Sequence, residues 1–344
     1  MRIALDAMGT DRHPANEVDG AIRALRELPG DFELILVGDQ HTIQAELARE
    51  GDYPKDRLHV VHATQIISPR EGAVAAVRRK QDSSIVVGLT LQKEGKADAF
   101  ISAGSTGAVM AASLILLRAI AGVDRPTVST ILPTAASPVL LVDAGANVDS
   151  RPHNLLQFAR LGAVYAQDVL NCERPRIGLL NIGEEPEKGN ELAVATHELL
   201  HESDLHFVGN VEGRDIVRGV CDVLVTDGFA GNILLKFYES VASFMFTMIA
   251  RELKEVGAHV DFDRVFKHFD YTEYGGSPLL GVNGVSLICH GGSPPRAIKN
   301  AVRTAIQALD RDLVGHIKRE LARHPGEDHE KDELVKDHST AGTA

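Results

Sequence analysis

Residues 97–107 read ADAFISAGSTG. The apolar run 97–102 leads directly into a glycine-bracketed turn, and a helical pattern begins immediately after it. A strand that is apolar on both faces is typical of a parallel sheet that helices cover on both sides. The stretch therefore indicates a strand–loop–helix unit of an α/β fold.

The same unit recurs along the chain, because nine further apolar, β-branched runs alternate with amphipathic stretches of helical length. The runs are 2–7, 32–38, 58–63, 127–133, 138–144, 176–182, 205–209, 221–227 and 285–290, and the helical stretches are 15–28, 70–95, 106–120, 153–170, 187–202 and 294–319. The alternation predicts a doubly wound α/β fold, interrupted by an antiparallel or hairpin pair at 127–133 and 138–144. We assign residues 1–323 to one large domain; two interlocked lobes fit the pattern as well.

The composition is that of an ordinary soluble protein, with 44% hydrophobic and 24% charged residues. Cys172, Cys221 and Cys289 are widely spaced without a CxxC pair, so we expect buried thiols in a reducing cytoplasm rather than disulfides or a zinc site. The first residues enter a strand, which predicts no signal peptide.

The net charge is −12, and about a third of it lies in 324–344, where six acids and two lysines predict a disordered acidic tail. The acidic body argues against binding of duplex nucleic acid.

The residues that follow the predicted strands are mostly Gly, Asn, Ser/Thr and Asp. Ligands of parallel α/β sheets bind beyond the carboxyl ends of the strands. Glycine there lets backbone N–H groups approach a ligand, and the start of the next helix favours an anion. A turn such as Gly-Ser-Thr-Gly is also an ordinary helix cap. The candidate substrate-binding residues are Asp6, Met8, Gly9, His13, Gly104, Ser105, Thr106, Gly107, Asp143, Asn147, Asn181, Gly183, Glu184, Gly189, Asn210, Glu212, Asp227, Gly228 and Gly231.

Several familiar catalytic motifs do not occur in the sequence. A GxGxxG after a strand, a GxxxxGK[ST] loop and a GxSxG elbow are missing, and we predict no cofactor and no metal. What is left suits an anionic substrate whose reaction needs positioning and charge neutralisation. The best-placed cation is Lys188, in the loop NIGEEPEKGNE (181–191). The alternative is a solvated lysine among glutamates.

Residues 233–250 form the most apolar helical stretch, which Lys236 and Glu239 make too polar to span a bilayer. One interpretation is a helix of the core or of a dimer interface. The other is an exposed tip that touches a membrane surface. The residues of that tip are Phe244, Met245, Phe246, Met248 and Ile249.

The motifs MRIALDAMGTD, SAGSTGAVMAA, PRIGLLNIGEEPEKGNE, DVLVTDGFAGNILLK and FDYTEYGGSPLLGVNGVSLICHG together resemble the phosphate acyltransferases of bacterial phospholipid synthesis, in order from residue 1 to about residue 310. The resemblance implies a Rossmann-like α/β/α sandwich with a mostly parallel sheet, similar to isocitrate and isopropylmalate dehydrogenases. It implies transfer of a fatty acyl group from acyl carrier protein to inorganic phosphate. The acyl phosphate would supply a membrane glycerol-3-phosphate acyltransferase. A cytoplasmic homodimer with peripheral membrane contact, through a region at 233–275, is also implied.

The resemblance places the catalytic residues at Lys188, in EEPEKGN, and at Asn232, in GFAGN. We expect Lys188 to neutralise phosphate and Asn232 to donate to the oxyanion or to phosphate, with backbone amides near Gly9 and 104–107 completing the phosphate site. The sequence departs from the family where Thr10 replaces a glycine, which puts close backbone approach at that position in doubt. Ser105 also replaces a common asparagine, and Pro294-Pro295 replaces small or polar residues.

A basic face is expected for the acidic carrier protein. Arg296, Lys299 and Arg303 recur at i, i+3 and i+7 of one predicted helix and are the candidates. Two rival functions remain: a phosphotransacetylase-like activity on acyl-CoA, and a scaffold that binds phosphate or lipid without turnover. A dehydrogenase is the weakest interpretation, since no nucleotide fingerprint is present.

Overall fold

The computed structural model describes residues 1–255 and 271–324. The chain divides into two compact units, Met1–Pro126 with Thr272–Lys318, and Thr127–Tyr271 with Arg319–Ala344. The domain boundary 1–323 stays a prediction. Apart from His324, the predicted acidic tail lies outside the described residues, and so do residues 256–270 of the predicted tip.

The first unit contains a six-stranded, mostly parallel sheet in the order β3-β2-β1-β4-β11-β10. Only β10 runs antiparallel to its neighbour β11. Its strands are β1 (Arg2–Asp6), β2 (Glu33–Gly38), β3 (Leu58–His62), β4 (Ala99–Ser102), β10 (Ser277–Leu280) and β11 (Val285–Ile288). Its helices are α1 (Ala15–Glu27), α2 (Gln40–Glu50), α3 (Ala73–Arg79), α4 (Ser84–Lys93), α5 (Thr106–Leu116) and α10 (Pro295–Asp310).

The second unit has a five-stranded sheet in the order β5-β6-β9-β7-β8. The pair β5–β6 is antiparallel, as the sequence predicts, and the other pairs are parallel. Its strands are β5 (Thr127–Leu132), β6 (Val139–Val142), β7 (Ile177–Asn181), β8 (Phe207–Glu212) and β9 (Val223–Val225). Its helices are α6 (Pro152–Asp168), α7 (Glu191–Glu202), α8 (Gly213–Ile216) and α9 (Gly228–Glu255). The last described helix of the chain is α11 (Leu313–Ala322).

The α/β class and the mostly parallel strands are confirmed, and all ten predicted strands are present. Strand β10 was not predicted, because its four residues include Pro278 and carry no recognisable pattern. The predicted helix 70–95 is two helices, since Ser83 starts α4 by accepting a hydrogen bond from the Val86 amide. The stretch 294–319 also divides, into α10 and α11, at Asp312 with φ of 50°.

One predicted strand end is wrong. The run 205–209 was expected to end at Gly209, but β8 continues through this glycine, whose φ is +99°, to Glu212. Glycine adopts this left-handed backbone without steric cost, so it interrupts the apolar pattern without ending the strand. Asn210 and Glu212 therefore lie within the strand and not in a loop after it.

Helix α9 is not a core helix. Every fourth residue along its first turns is an exposed apolar side chain, and within the predicted tip Phe244, Met245 and Ile249 are exposed; the side chain of Phe246 lies outside the described part. Among the described residues, Gly228–Leu253 alone has the length and mean hydropathy, 1.4, of a membrane-crossing helix, and 0% of that window is buried. By this measure the expectation that Lys236 and Glu239 make it too polar is wrong.

The three cysteines are only partly as expected. Cys221 and Cys289 are buried, whereas Cys172 is half-buried because it lies in the loop after α6. Burial raises the pKa of both buried thiols to about 12. They are therefore uncharged packing groups near neutral pH.

Helices α1 and α10 pack against each other through Gly20. A Cβ at this position would lie 2.6 Å from the Ile298 Cβ and 2.9 Å from the Pro295 carbonyl oxygen. Both neighbouring atoms are held by helix backbone, so neither can move aside cheaply.

We predict that Gly20→Ala destabilises the protein by about 1–3 kcal/mol through overpacking. The sign is diagnostic, because alanine at an unconstrained helix position stabilises by about 1 kcal/mol relative to glycine. The free energy of unfolding in urea measures the effect. Arg23→Ala, on the exposed face of α1, is the control and should change it by less than about 0.5 kcal/mol. A stabilised Gly20→Ala variant would contradict the close packing.

Candidate functional site

Lys188 lies on the exposed loop between β7 and α7 of the second unit. Its aliphatic stem covers Gly183, where a Cβ would come within 2.9 Å of the lysine Cγ. Three glutamates share the loop, yet within the described part of the chain no carboxylate forms an ion pair with its ammonium. The charge of Lys188 is therefore not neutralised by its acidic neighbours.

Two asparagines hold this loop in place. The Asn181 Nδ2 donates to the Lys188 carbonyl oxygen at 2.9 Å, and its Oδ1 accepts from the Ile182 amide at 2.8 Å. The Asn210 Nδ2 donates to the Glu185 carbonyl oxygen at 2.8 Å. Gly189 is required beside them, because its φ is +101° and a Cβ would lie 2.4 Å from the Asn181 Oδ1. Asn181 and Asn210 thus position Lys188 rather than face a ligand themselves.

The two acidic candidates near this loop form ion pairs. Arg214, at the start of α8, lies 3.0 Å from Glu212 and 4.0 Å from Glu184. The Arg214 guanidinium is largely solvent-exposed, so each pair contributes little to stability.

Asn232 lies in the second turn of α9, and its position depends on two close backbone approaches. A Cβ on Gly231 would lie 1.8 Å from the Asp143 carbonyl oxygen, and one on Gly228 would lie 2.7 Å from the Asn147 carbonyl oxygen. Only glycine permits this packing of the helix start against the loop after β6. The Asn232 side chain then lies against Gly145, where a Cβ would be 3.3 Å from its Oδ1. Asn232 is exposed and makes no hydrogen bond to another described residue.

Asp143 and Asp227 accept hydrogen bonds from backbone amides in the segments around Asn232. Asp143 is fully buried, and its Oδ1 accepts from the amides of Gly145 and Ala146 at 2.9 and 2.8 Å. Its Oδ2 accepts from the Asn147 amide and side chain. Burial raises the pKa of this carboxyl. Asp227 caps α9 by accepting from the next amides. Asp143 is thus committed to its own loop through both oxygens, and Asp227 is committed to the start of α9 through Oδ1.

In the first unit, too, a buried aspartate accepts hydrogen bonds at a strand end, here at the end of β1. Asp6 is 1% exposed, and its carboxylate accepts from the Met8 amide at 3.0 Å and from the Ser102 hydroxyl at 2.6 Å. Ser102 in turn accepts from the Gly104 amide at 3.0 Å. Burial raises the pKa of the Asp6 carboxyl. A Cβ on Gly9 would lie 2.6 Å from the Gly104 nitrogen, so the two loops meet backbone to backbone.

Thr10, the departure from the family pattern, has a specific partner. Its amide donates to Glu17 Oε1 at 2.7 Å, and its hydroxyl donates to Oε2 at 2.9 Å. Glu17 is 0% exposed, and burial raises its pKa to about 7. The Thr10 amide is therefore committed to Glu17, while Gly9 keeps its close backbone approach. Sequence reasoning missed Glu17, because a glutamate in the first turn of an amphipathic helix is normally solvated.

The turn after β4 starts α5. The Ser105 hydroxyl caps the helix by accepting from the Ala108 amide at 3.4 Å, so the capped-turn interpretation is confirmed. Thr106 and Gly107 are exposed at this helix start, which favours an anion. His13 is exposed, and its Nδ1 lies 2.7 Å from the Thr10 carbonyl oxygen. Met8 is buried and packs against Gly38, so it belongs to the core.

The three cations of the predicted basic face on α10 already contact acidic or carbonyl groups of their own unit. Arg296 forms an ion pair with Glu273, and Lys299 forms one with Glu27 at 2.6 Å. Arg303 donates to the Glu273 carbonyl oxygen at 2.6 Å. The three cations hold neighbouring segments of their own unit, which weakens the case for carrier-protein docking there.

A triad of potential metal ligands, Asp204, Glu320 and His324, has its ligand atoms within 4.8 Å of one another. Asp204 is already paired with Arg160, which is 1% exposed, at 2.8 Å. The cluster therefore reads as an ion-pair network around a buried arginine.

Comparisons with known proteins agree with the motifs. The family model described as "Fatty acid synthesis protein" matches residues 1–315. The chain is 49% identical over 333 residues to the phosphate acyltransferase of Desulforamulus reducens, covering 95% of this chain and 99% of that one. It is also 49% identical over 329 residues to the phosphate acyltransferase of Heliobacterium modesticaldum, covering 93% and 98%.

Solved structures share the fold. A phosphotransacetylase from Streptococcus pyogenes has a TM-score of 0.59 at 18% identity, covering 90% of this chain and 94% of that one. A putative 4-hydroxythreonine-4-phosphate dehydrogenase from Salmonella typhimurium has a TM-score of 0.51 at 12% identity, covering 89% and 98%. At these identities the likeness concerns the fold alone.

The buried Glu17 predicts a pH dependence of stability. Its pKa is about 7 in the folded state against an ordinary 4.5, so between these values the folded state holds a proton that the unfolded state has lost. Stability contributed by this group therefore falls as pH rises from about 4.5 to about 7. Glu17→Gln keeps the contacts to Thr10 without a charge and should gain up to about 3 kcal/mol relative to wild type between pH 5 and pH 8.

Unfolding free energies of both proteins at the two pH values measure this gain. Glu50→Gln, at an exposed carboxyl on α2, is the control and should show no such change. A Glu17→Gln difference that is the same at pH 5 and pH 8 would contradict the buried carboxyl.

Proposed function

Because this chain belongs to the family of the phosphate acyltransferases, we propose that it transfers a fatty acyl group from acyl carrier protein to inorganic phosphate. A phosphate oxygen attacks the thioester carbonyl carbon and forms a tetrahedral oxyanion. The C–S bond then breaks, the carrier's phosphopantetheine leaves as a thiolate, and acyl phosphate is the product. A thiol with a pKa of about 8.5 needs little acid assistance to leave.

The observation that carries this proposal is the exposed, unneutralised Lys188 on a loop fixed by Asn181 and Asn210. Phosphate near pH 7 is already a nucleophile, so the reaction needs no strong base. It needs a cation that brings the hydrated dianion to a carbonyl and stabilises the charge that develops. A fixed backbone under a free ammonium suits that task, because less conformational entropy is lost when phosphate binds.

Asn232 supplies the second role. Its side-chain amide has no hydrogen-bond partner among the described residues and is held against Gly145 by the glycine contacts of α9. An amide N–H aimed at a developing oxyanion lowers the barrier and requires no proton transfer. We assign Asn232 to donation toward the oxyanion or the phosphate.

In the first unit, the exposed start of α5 at Thr106 and Gly107 is the proposed anion-binding element, with Gly9 and Gly104 bringing backbone amides close to it. The Thr10 amide takes no part, because Glu17 occupies it. These groups supply binding to an anionic part of the substrates, and none of them supplies acid–base chemistry.

We further propose that the protein acts in the cytoplasm as a homodimer that touches the membrane peripherally. The exposed apolar side chains of α9 support this, since monomeric soluble proteins rarely expose a continuous apolar face. A membrane contact would release the acyl phosphate near its consumer, a membrane glycerol-3-phosphate acyltransferase.

Two variants test the chemistry. Lys188→Ala and Asn232→Ala should each reduce phosphate-dependent release of free carrier protein from palmitoyl carrier protein by about 100- to 1000-fold, the usual effect of losing one such donor. Release is measured with and without inorganic phosphate. Lys93→Ala, at an exposed lysine at the end of α4, is the matched control and should retain wild-type turnover.

Near wild-type turnover by a folded Lys188→Ala variant would refute its role. If wild type releases free carrier protein equally well without phosphate, phosphate is not the acyl acceptor. Activity with acyl-CoA alone would support acyl transfer to phosphate and would refute the carrier protein as the acyl donor.

A further inference from the structure

Helix α3 and the turn before it carry a concentration of positive charge in an otherwise acidic chain. Residues 68–80 read SPREGAVAAVRRK and contain four cations and one anion, against a net charge of −12 for the whole chain. Glu71 neutralises part of this charge, through Arg79 at 2.9 Å and Lys80 at 2.6 Å. Arg70 and Arg78 are exposed and form no ion pair with any described residue.

The two free arginines flank an apolar side chain. Val74 is 50% exposed, and it shares one face of α3 with Arg78, four residues further along. Arg70 lies in the turn that precedes the helix. We call the patch of Arg70, Val74 and Arg78 the α3 surface. Interface centres are commonly apolar and flanked by arginine, whose guanidinium pairs well with carboxylates.

The α3 surface adjoins the anion-binding element of the same unit. Helix α3 packs on α5, and a Cβ on Gly107 would lie 3.3 Å from the Ala73 Cβ. Ala73 directly precedes Val74, so the exposed start of α5 and the α3 surface are neighbours. A molecule seated on α3 therefore reaches Thr106 and Gly107 without crossing other elements.

We propose that the α3 surface is the docking site for the acyl carrier protein. This inference rests on the proposed function, which requires a thioester delivered by a small acidic protein. Such a partner presents carboxylates to Arg70 and Arg78 and an apolar side chain to Val74. Complementary charge of this kind speeds association and fixes orientation. The cations of α10 do not compete for this role, since they are engaged within the unit.

An anionic membrane surface is the alternative occupant of a basic patch. The α3 surface contains one exposed valine, whereas the continuous apolar face of the described chain belongs to α9. A partner with matched carboxylates suits two exposed arginines around a single exposed apolar side chain better than a lipid surface does. Binding to vesicles is accordingly an outcome of the test.

The test is the double variant Arg70→Glu/Arg78→Glu, assayed with palmitoyl carrier protein and with palmitoyl-pantetheine, an uncharged small thioester, at saturating phosphate. We expect the KM for the carrier protein to rise at least about tenfold, with kcat and all constants for the small thioester within about twofold of wild type. The affinity for labelled carrier protein, from fluorescence anisotropy, should fall in parallel and lose most of its salt dependence. The control Lys93→Glu reverses an exposed charge at the C-terminal end of α4 and should change neither the kinetic constants nor the carrier affinity.

Unchanged carrier affinity and KM in a folded double variant would overturn the proposal. Loss of binding to vesicles of anionic phospholipid, with carrier affinity intact, would overturn it in favour of a membrane contact. An equal loss in Lys93→Glu would also overturn it, because the effect would then be general electrostatics. If wild type transfers neither thioester to phosphate, the proposed function fails, and the anisotropy measurement still decides whether the α3 surface binds carrier protein.

Discussion

In each unit, a buried aspartate at a strand end holds the loop that carries candidate residues of that unit. Asp6 and Asp143 are removed from water, which costs free energy unless their oxygens are fully hydrogen-bonded. Asp143 meets this requirement with three backbone amides and one side-chain amide of its own loop. Asp6 does so through Met8 and Ser102. The loops take the shape that satisfies these carboxylates.

This arrangement divides the polar residues of the strand ends into two groups. The buried group shapes the backbone by bonding to it, as with Asp143 and Asn210. The other group is exposed and unpaired within the described chain, and it contains Lys188 and Asn232. A reaction that needs charge neutralisation without acid–base catalysis can use a site of this kind, since a rigid frame presents a few free donors at little entropic cost.

Much of the fold could be predicted from the sequence, because strands that are apolar on both faces are distinctive at this length. Strand β10 could not, since four residues with a proline carry no periodicity. The extension of β8 through Gly209 was missed for a related reason: glycine is the commonest signal of a strand end, and here it lies inside the strand.

The candidate site was predictable in its location but not in the roles of its members. Sequence identifies which residues follow strands, and it does not show which way their side chains point. Asp6 and Asp143 were expected near substrate and instead bond to their own loops. Glu17 was missed because its partner Thr10 is seven residues away along the chain, across a loop and the start of α1. The α10 cations followed the right spacing, but spacing does not reveal that Glu27 and Glu273 already engage them.

The most direct test of the account is the identity of the product. The wild-type protein is incubated with palmitoyl carrier protein and radiolabelled inorganic phosphate, and the lipid fraction is treated with neutral hydroxylamine. We predict one labelled phosphate in an acyl phosphate for each carrier thiol released, converted by hydroxylamine to palmitoyl hydroxamate with release of the label. Thiol release without label in the lipid fraction would identify hydrolysis and would contradict the proposed transfer to phosphate.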